Sequence, residues 1–316
     1  MHRLKLLAGN ANPELAAEIS KELGVPLCKM TVGRFSDGEV RVKIDESIRG
    51  SDAFVVQPTS APVNENLMEL LVILDALKRA SAVRATVVMP YYGYARQDKK
   101  VKPREPVTAK LVADLLQVAG ANRVLTMDLH ADQIQAFFDL PVDHLYGGPI
   151  IARHLLDIGM ADSDLVVVSP DVGGVARARK FAELLNAPIA IIAKRRPEPN
   201  KAEVMEIIGD VAGKRAIMID DMIDTGGSIA QGAEALKKRG ASQVYACCTH
   251  PVLSNDAILR LREAPIEAFV VTNTIRIPPE RRMPNMTVLS VAPLLASAIR
   301  RIHEDRSVSQ LFAEYA

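Results

Sequence analysis

The sequence predicts an α/β fold in two domains, each a parallel sheet flanked by helices. Three observations carry this. Short apolar runs alternate with helix-period segments along the whole chain, and glycine turns or charged loops follow several of the runs directly. The 316 residues are enough for two domains of ordinary size or one large one. With 48 % hydrophobic and 24 % charged residues, the composition is that of a soluble globular protein.

In chain order, residues 4–7, 53–56, 86–89, 123–127, 165–168, 189–193, 216–219, 244–248 and 268–271 read as buried strands. Helices are expected over 13–23, 64–79, 107–118, 149–156, 175–185, 228–239 and 293–303. The first has a defined start, with Asn12 as cap and Pro13 and Glu14 in the first turn. Strand, helix, strand in repetition makes parallel sheets covered on both faces. Such stretches lie on either side of residue 145, so the expected domains are 1–146 and 147–316, joined near Tyr146-Gly147-Gly148-Pro149.

The net charge of +1, from 39 basic and 38 acidic residues, argues against a protein that coats nucleic acid. Any anion must be held by local clusters. Three cysteines make no disulfide framework, and the adjacent Cys247 and Cys248 in an apolar run read as buried thiols. Met1–Gly9 is short and basic at Arg3 and Lys5, unlike a secretory leader, and no apolar run approaches the ~18–20 residues of a membrane span. A cytoplasmic protein with no membrane partner is expected.

Two segments break the pattern with charge and proline, 91–106 (YYGYARQDKKVKPREP) and 194–201 (KRRPEPNK). Each follows a strand candidate, and ligands of α/β proteins collect at the carboxyl ends of strands. The strongest chemical signal is residues 216–228, AIMIDDMIDTGGS. An apolar strand runs into Asp220 and Asp221, then Asp224-Thr225-Gly226-Gly227-Ser228 leads into a helix. Glycines let the backbone approach an anion, while helix-start amides and two hydroxyls donate to it. Carboxylates repel phosphate, but neighbouring ones accept hydrogen bonds from vicinal hydroxyls. A phosphate cradle beside an acidic pair therefore fits a sugar phosphate. The Walker pattern GxxxxGK[ST] is absent.

This segment resembles the 5-phosphoribosyl 1-diphosphate (PRPP) signature of type I phosphoribosyltransferases and PRPP synthetases. Other motifs separate the two. Ser169-Pro170-Asp171-Val172-Gly173-Gly174-Val175-Ala176-Arg177-Ala178-Arg179 is similar to the synthetases' diphosphate loop, and Thr126-Met127-Asp128-Leu129-His130 to their metal segment. Arg34-Phe35-Ser36-Asp37-Gly38-Glu39 resembles their adenine-recognition segment, and Tyr91-Tyr92-Gly93-Tyr94-Ala95-Arg96-Gln97-Asp98 their long flag-like loop. Lys194-Arg195-Arg196-Pro197 resembles their catalytic basic loop. The likeness runs from Ala8-Gly9-Asn10 to Ser307-Val308-Ser309, with Ser228 standing where many relatives carry Thr.

The family resemblance, to class I ribose-phosphate diphosphokinases, implies two phosphoribosyltransferase-like domains. The N-terminal one would hold ATP through Phe35, Asp37, Gly38, Glu39, Arg96 and Gln97. The C-terminal one would hold ribose 5-phosphate through Arg196, Asp220, Asp221, Asp224, Thr225, Gly226, Gly227 and Ser228. It further implies Mg²⁺ at His130 and Asp171, although imidazole is an unusual ligand for that ion. Lys194 and Arg196 would be catalytic, stabilising charge on the diphosphate and departing AMP. A homohexamer is implied, with phosphate and ADP as effectors at Ser47, Arg49, Ser81, Ser307 and Ser309. Three other readings compete. A PRPP-consuming transferase would lack RFSDGE and KRRP together. A non-catalytic synthetase-associated subunit is opposed by intact Lys194, Arg196, His130, Asp171 and Asp224. A DNA-binding repressor would need a basic helix-turn-helix, and none stands in the sequence.

Overall fold

A computed structural model describes residues 2–160, 164–195 and 204–311, which form two compact units. The first unit begins with β1 (Leu4–Ala8), α1 (Pro13–Leu23) and a hairpin of β2 (Met30–Arg34) and β3 (Val40–Ile44). It continues through β4 (Asp52–Val56), α2 (Val63–Arg79), β5 (Arg84–Met89), α3 (Thr108–Ala119), β6 (Arg123–Met127) and β7 (Val142–Leu145). Five strands pair in parallel in the order β1-β4-β5-β6-β7, while β2 and β3 pair antiparallel with each other. Every residue of β4 is buried, as a parallel strand covered on both faces requires. Alternate strand residues Leu7, Val55, Val87 and Val124 share one core with Leu70 and Leu74 of α2 and Leu116 of α3. α1 starts where the sequence places it. Asn12 Oδ1 accepts the Leu15 amide at 3.2 Å, Pro13 opens the first turn, and Gly24 ends the helix with φ 69°.

The second unit contains α4 (Gly148–Asp157), β8 (Leu165–Ser169), α5 (Val175–Leu184), β9 (Ile189–Arg195), β10 (Val204–Ile208) and β11 (Arg215–Ile223). After these come α6 (Gly227–Lys238), β12 (Gln243–Pro251), α7 (Ala257–Glu263), β13 (Ala268–Thr272) and β14 (Met286–Leu289). Its sheet has the order β10-β9-β8-β11-β12-β13-β14, parallel throughout except for β9 with β10. One face packs Ile229, Ala233 and Leu236 of α6 and Leu261 of α7 onto Val166, Met218 and Cys248. The other packs Ile151 and Leu155 of α4 and Phe181 of α5 onto Val167, Ile217 and Cys247. The adjacent cysteines thus face opposite cores, both free and buried, and burial pushes the Cys247 thiol up to about 12. From β8 the chain crosses to β9 on one side, and from β11 to β12 on the other, so strand order reverses between β8 and β11.

The last described helix, α8 (Ala292–His303), departs from the expected division. The sequence places 147–316 in one domain, yet Thr274–Arg276 and 290–311 belong to the first unit. α8 packs on α1 and buries Leu294, Leu295, Ala298, Ile299 and Ile302. An amphipathic stripe shows that a helix is covered but not by which sheet. Polar contacts decide it here. Arg84 of β5 grips buried Asp52 of β4 with two hydrogen bonds, Nε to Oδ1 at 2.8 Å and Nη2 to Oδ2 at 2.6 Å. Arg84 Nη2 also donates to the Ile302 carbonyl at 3.1 Å, and His303 Nδ1 lies 2.8 Å from Asp52 Oδ2.

Burial alone would raise the Asp52 carboxyl, but hydrogen bonds from Arg84 and His303 outweigh it and hold the group below the usual carboxylate value. A depressed folded value contributes stability above the unfolded value of about 3.9, and that contribution is lost as pH falls through the folded one. Arg84→Met should therefore cost about 3 kcal/mol near neutral pH in denaturant unfolding, by leaving a buried charge poorly paired. The gap to the parent should close as pH drops below about 4. A gap that stayed constant into strong acid would detach the loss from the Asp52 charge.

Candidate functional site

Two strand-to-helix turns flank the strand-order reversal of the second unit. In open α/β sheets such a reversal opens a crevice at the carboxyl ends of the strands, because the following helices leave toward opposite faces. After β8, the Gly174 amide donates to Asp171 Oδ1 at 2.8 Å, and Ser169 Oγ donates to the Asp171 carbonyl at 2.7 Å. A Cβ on Gly174 would lie 2.9 Å from Ser169 Oγ, so the turn closes this tightly only with glycine. Asp171 itself is exposed.

After β11, the turn over Asp224–Ser228 leads into α6. Its cap residue Gly226 has φ 73° and no side-chain cap bond is made there; helix starts of this kind suit anions. Thr225 and Ser228 are exposed at this end. Just upstream, Asp221 is 2 % exposed and its amide donates to Asp220 Oδ1 at 2.9 Å. Arg177 of α5 reaches across the reversal, with Nη1 3.1 Å from Asp220 Oδ1 and 3.2 Å from Asp221 Oδ1. Burial, then the neighbouring Asp221 carboxylate, pushes the Asp220 carboxyl well up, and Arg177 offsets part of this. An acidic pair in which one member resists ionisation both accepts and donates hydrogen bonds, which suits hydroxyl groups.

Sequence reasoning missed what props this turn. Ser254 Oγ donates to Asp224 Oδ1, and the Ser254 amide donates to the Asp224 carbonyl at 3.1 Å. Arg260 of α7 donates through Nη1 to the Thr225 carbonyl. Leu261 packs under Gly226, where a Cβ would come within 2.9 Å of its Cγ. α7 spans 7 residues, too short for a helical period to stand out from the flanking turns. Arg177 lies inside a recognised motif, but only the fold shows that it serves the acidic pair.

In the first unit, Phe35, Asp37, Gly38 and Glu39 sit together at the tip of the β2–β3 hairpin. The Phe35 amide donates to the Glu39 carbonyl at 2.8 Å, and the Gly38 amide to the Phe35 carbonyl at 3.0 Å. Gly38 has φ 96°, and the Glu39 amide donates to Asp37 Oδ1 at 3.1 Å. The Phe35 ring is 51 % exposed, with the Arg41 guanidinium 5.8 Å from its centroid. Arg96 and Gln97 are exposed on the segment after β5. That segment is anchored by Tyr92, whose buried hydroxyl donates to the Ala109 carbonyl at 2.8 Å. It is also pressed close at Gly93, where a Cβ would lie 2.4 Å from the Thr59 carbonyl oxygen. Gln97 Oε1 already accepts from Thr108 Oγ1 at 2.5 Å, leaving its amide nitrogen as the outward group.

His130 is exposed beyond β6, and the preceding Leu129 amide donates to His144 Nε2 at 2.9 Å. Among the described residues no cluster of three or more His, Cys, Asp or Glu is arranged to hold a metal. Among the same residues no helix is long and apolar enough to cross a membrane. Ser47, Arg49, Ser81, Ser307 and Ser309 are all exposed on the first unit. The Gly50 amide donates to the Ser81 carbonyl at 2.9 Å, and Ser307 and Ser309 share a hydroxyl contact of 2.7 Å. The Lys194 backbone lies in β9 opposite Met205, and Arg196 falls outside the described residues.

Residues 4–120 match the family described as the N-terminal domain of ribose phosphate pyrophosphokinase. Residues 193–313 match a phosphoribosyl synthetase-associated domain. The chain is 61 % identical over 309 residues to a ribose-phosphate pyrophosphokinase of Caldanaerobacter subterraneus, and 98 % of each chain is covered. It is 60 % identical over 311 residues to one of Bacillus caldolyticus, again with 98 % of each chain covered. A phosphoribosylpyrophosphate synthetase structure from Mycobacterium smegmatis superposes with a TM-score of 0.91 at 49 % identity. The superposition covers 96 % of this chain and 99 % of that one.

Proposed function

The chain belongs to the ribose-phosphate pyrophosphokinase family and catalyses that family's reaction, and we propose that two turns of its second unit divide the sugar between them. In the reaction the C1 oxygen of ribose 5-phosphate attacks the β-phosphorus of ATP. The new C1–O–Pβ linkage forms, the hydroxyl loses its proton, and the bond from Pβ to the α-phosphate oxygen breaks. AMP leaves with the electron pair.

The observation that carries the reading is the Asp224–Ser228 turn beside the Asp220–Asp221–Arg177 cluster at the strand-order reversal. Thr225, Gly226, Gly227 and Ser228 hold the 5-phosphate through amides and hydroxyls. Asp220, Asp221 and Asp224 engage the ribose hydroxyls, and the turn after Asp171 receives the diphosphate. Arg196 adds charge toward the sugar phosphate. In the first unit, Phe35 offers its exposed ring to the adenine, with Asp37, Gly38 and Glu39 reading its edge. Arg96 and Gln97 serve the remainder of ATP.

A divalent cation, Mg²⁺ in this proposal, fits a donor set of few protein ligands. Asp171 is exposed and spends one carboxylate oxygen on the Gly174 amide, so an oxygen remains for a hard cation. With no three-ligand cluster among the described residues, the ion would draw most of its ligands from substrate phosphates and water, as Mg²⁺ usually does. His130 would then act by orienting a metal-bound water, since imidazole suits this ion poorly. When bound, the ion neutralises charge on the β- and γ-phosphates.

Lys194 and Arg196 are assigned to the transition state. Charge moves from the β-phosphorus to leaving AMP, and cations that engage it only then lower the barrier without tightening ground-state binding. The effectors phosphate and ADP are assigned to Arg49 with Ser47, Ser81, Ser307 and Ser309, since an exposed guanidinium grips phosphate bidentately. A homohexamer in the cytoplasm completes the reading.

The protein mixed with ATP, Mg²⁺ and ribose 5-phosphate should release AMP only when the sugar is present, and AMP release independent of the sugar would refute the assignment. In the same assay Lys194→Ala and Arg196→Ala should each lower kcat by roughly 10²–10⁴, with Michaelis constants moving less than about tenfold. Arg195→Ala should be far milder, and equal losses at all three positions would reduce the segment to a generic basic patch. Arg49→Ala should blunt the response to phosphate and ADP while leaving turnover without effectors intact. A normal response would remove Arg49 from regulation.

A further inference from the structure

Glu69 of α2 is a carboxylate with no solvent exposure, and no step of the reaction assigns it a role. Four donors converge on it. The Asn10 amide lies 2.6 Å from Oε1 and Gln57 Nε2 2.9 Å from the same oxygen, while Asn10 Nδ2 is 3.0 Å and Arg34 Nη1 3.2 Å from Oε2. Asn10 follows β1, Gln57 follows β4, and Arg34 is the last residue of β2. One buried charge therefore ties the carboxyl ends of two sheet strands to the strand that enters the Phe35–Glu39 turn.

The surrounding geometry leaves this junction little slack. A Cβ on Gly9 would lie 2.3 Å from Gln57 Oε1, and that oxygen accepts the Ala11 amide at 3.1 Å. Asn10 Nδ2 also reaches the Val32 carbonyl at 3.3 Å, one residue pair before Arg34. Glu65, one helical turn before Glu69, takes a second bond from Arg34 at 3.3 Å. The hairpin pairs with no strand of the five-stranded sheet, and none of its ten residues is fully buried. Partly buried Met30, Val32, Val42 and Ile44 pack its inner face against the first unit's core, and the polar root fixes the strand end nearest the turn.

We propose that Glu69 is a positioning residue for nucleotide recognition: through Arg34 its carboxylate sets the direction in which the hairpin presents Phe35 and the Asp37–Glu39 turn. The inference rests on reading that turn as the adenine-binding element. Glu69→Gln keeps the shape and can still accept from Asn10, but it withdraws the charge that holds Arg34. Arg34→Met removes the other half of the same contact from its more exposed side.

Steady-state kinetics with the full chain tests this. Both variants should raise the KM for ATP about tenfold or more and reduce discrimination between ATP and GTP. The KM for ribose 5-phosphate should stay within about twofold and kcat within about threefold. The double variant should be little worse than Arg34→Met alone, since both changes remove the Arg34–Glu69 contact. A merely structural role would lower the unfolding midpoint and move both KM values together, or would give additive losses, and either result overturns the proposal. Arg34→Met keeps the test decisive should Glu69→Gln fail to fold. Phe35→Ala separates the two levels. If it raises the KM for ATP while Glu69→Gln and Arg34→Met do not, only the role of Glu69 falls. If all three are silent, the reading of the turn falls with it.

Discussion

The reversal of strand order between β8 and β11 is the constraint on which the second unit's chemistry depends. Because β8 leads to β9 on one side and β11 to β12 on the other, α5 and α6 cover opposite faces, and the turns that begin them diverge over a shared crevice. A sheet wound in one direction would carry both helices over the same face and leave no such gap. Arg177 spans the reversal from α5 to the carboxylates ending β11, so the two turns are also joined electrostatically. The guanidinium compensates the charge of the acidic pair and so offsets part of the cost of burying it.

The first unit solves a different problem. Its five paired strands stand in chain order, β1-β4-β5-β6-β7, with Leu27 bridging β1 at Leu6. The elements proposed to hold ATP lie outside the sheet. The β2–β3 hairpin is held by Asn10, Gln57 and Glu69, and the segment after β5 is held by Tyr92 and the close approach of Gly93 to Thr59. Buried polar anchors add direction to the apolar packing of Met30, Val32, Val42, Ile44 and Tyr92, and each is costly to leave unpaired. The return of α8 to this unit follows the same logic, through Arg84, Asp52 and His303.

The sequence is most legible where burial is greatest. Fully buried runs such as 53–56 and 165–168 fall inside strands of nearly the same extent, and helix 13–23 begins and ends on its capping residues. Strands with one solvated face were not legible from apolar runs. β3 alternates as VRVKI and β7 carries Asp143 and His144, so neither makes a run. β10 and β14 are short strands at the two edges of the second sheet, where fewer apolar residues are needed. The turn after β11 was legible because it is local, Asp224 to Ser228 in five consecutive residues. Its supports Arg177, Ser254, Arg260 and Leu261 come from distant segments, and only the sheet topology brings them together.

In the proposed function the Asp224–Ser228 turn binds the phosphate of a sugar and the carboxylates beside it bind the hydroxyls. Comparing ribose 5-phosphate with unphosphorylated ribose tests it directly, in the parent and in a chain carrying both Thr225→Ala and Ser228→Ala. Each hydroxyl bond to a charged phosphate is worth roughly 1.5–3 kcal/mol, so the double variant should lose at least about a hundredfold of its kcat/KM preference for the phosphorylated sugar. Its kcat/KM for ribose should hold near the parent value. An undiminished preference for ribose 5-phosphate, or equal losses with both sugars, would contradict the account.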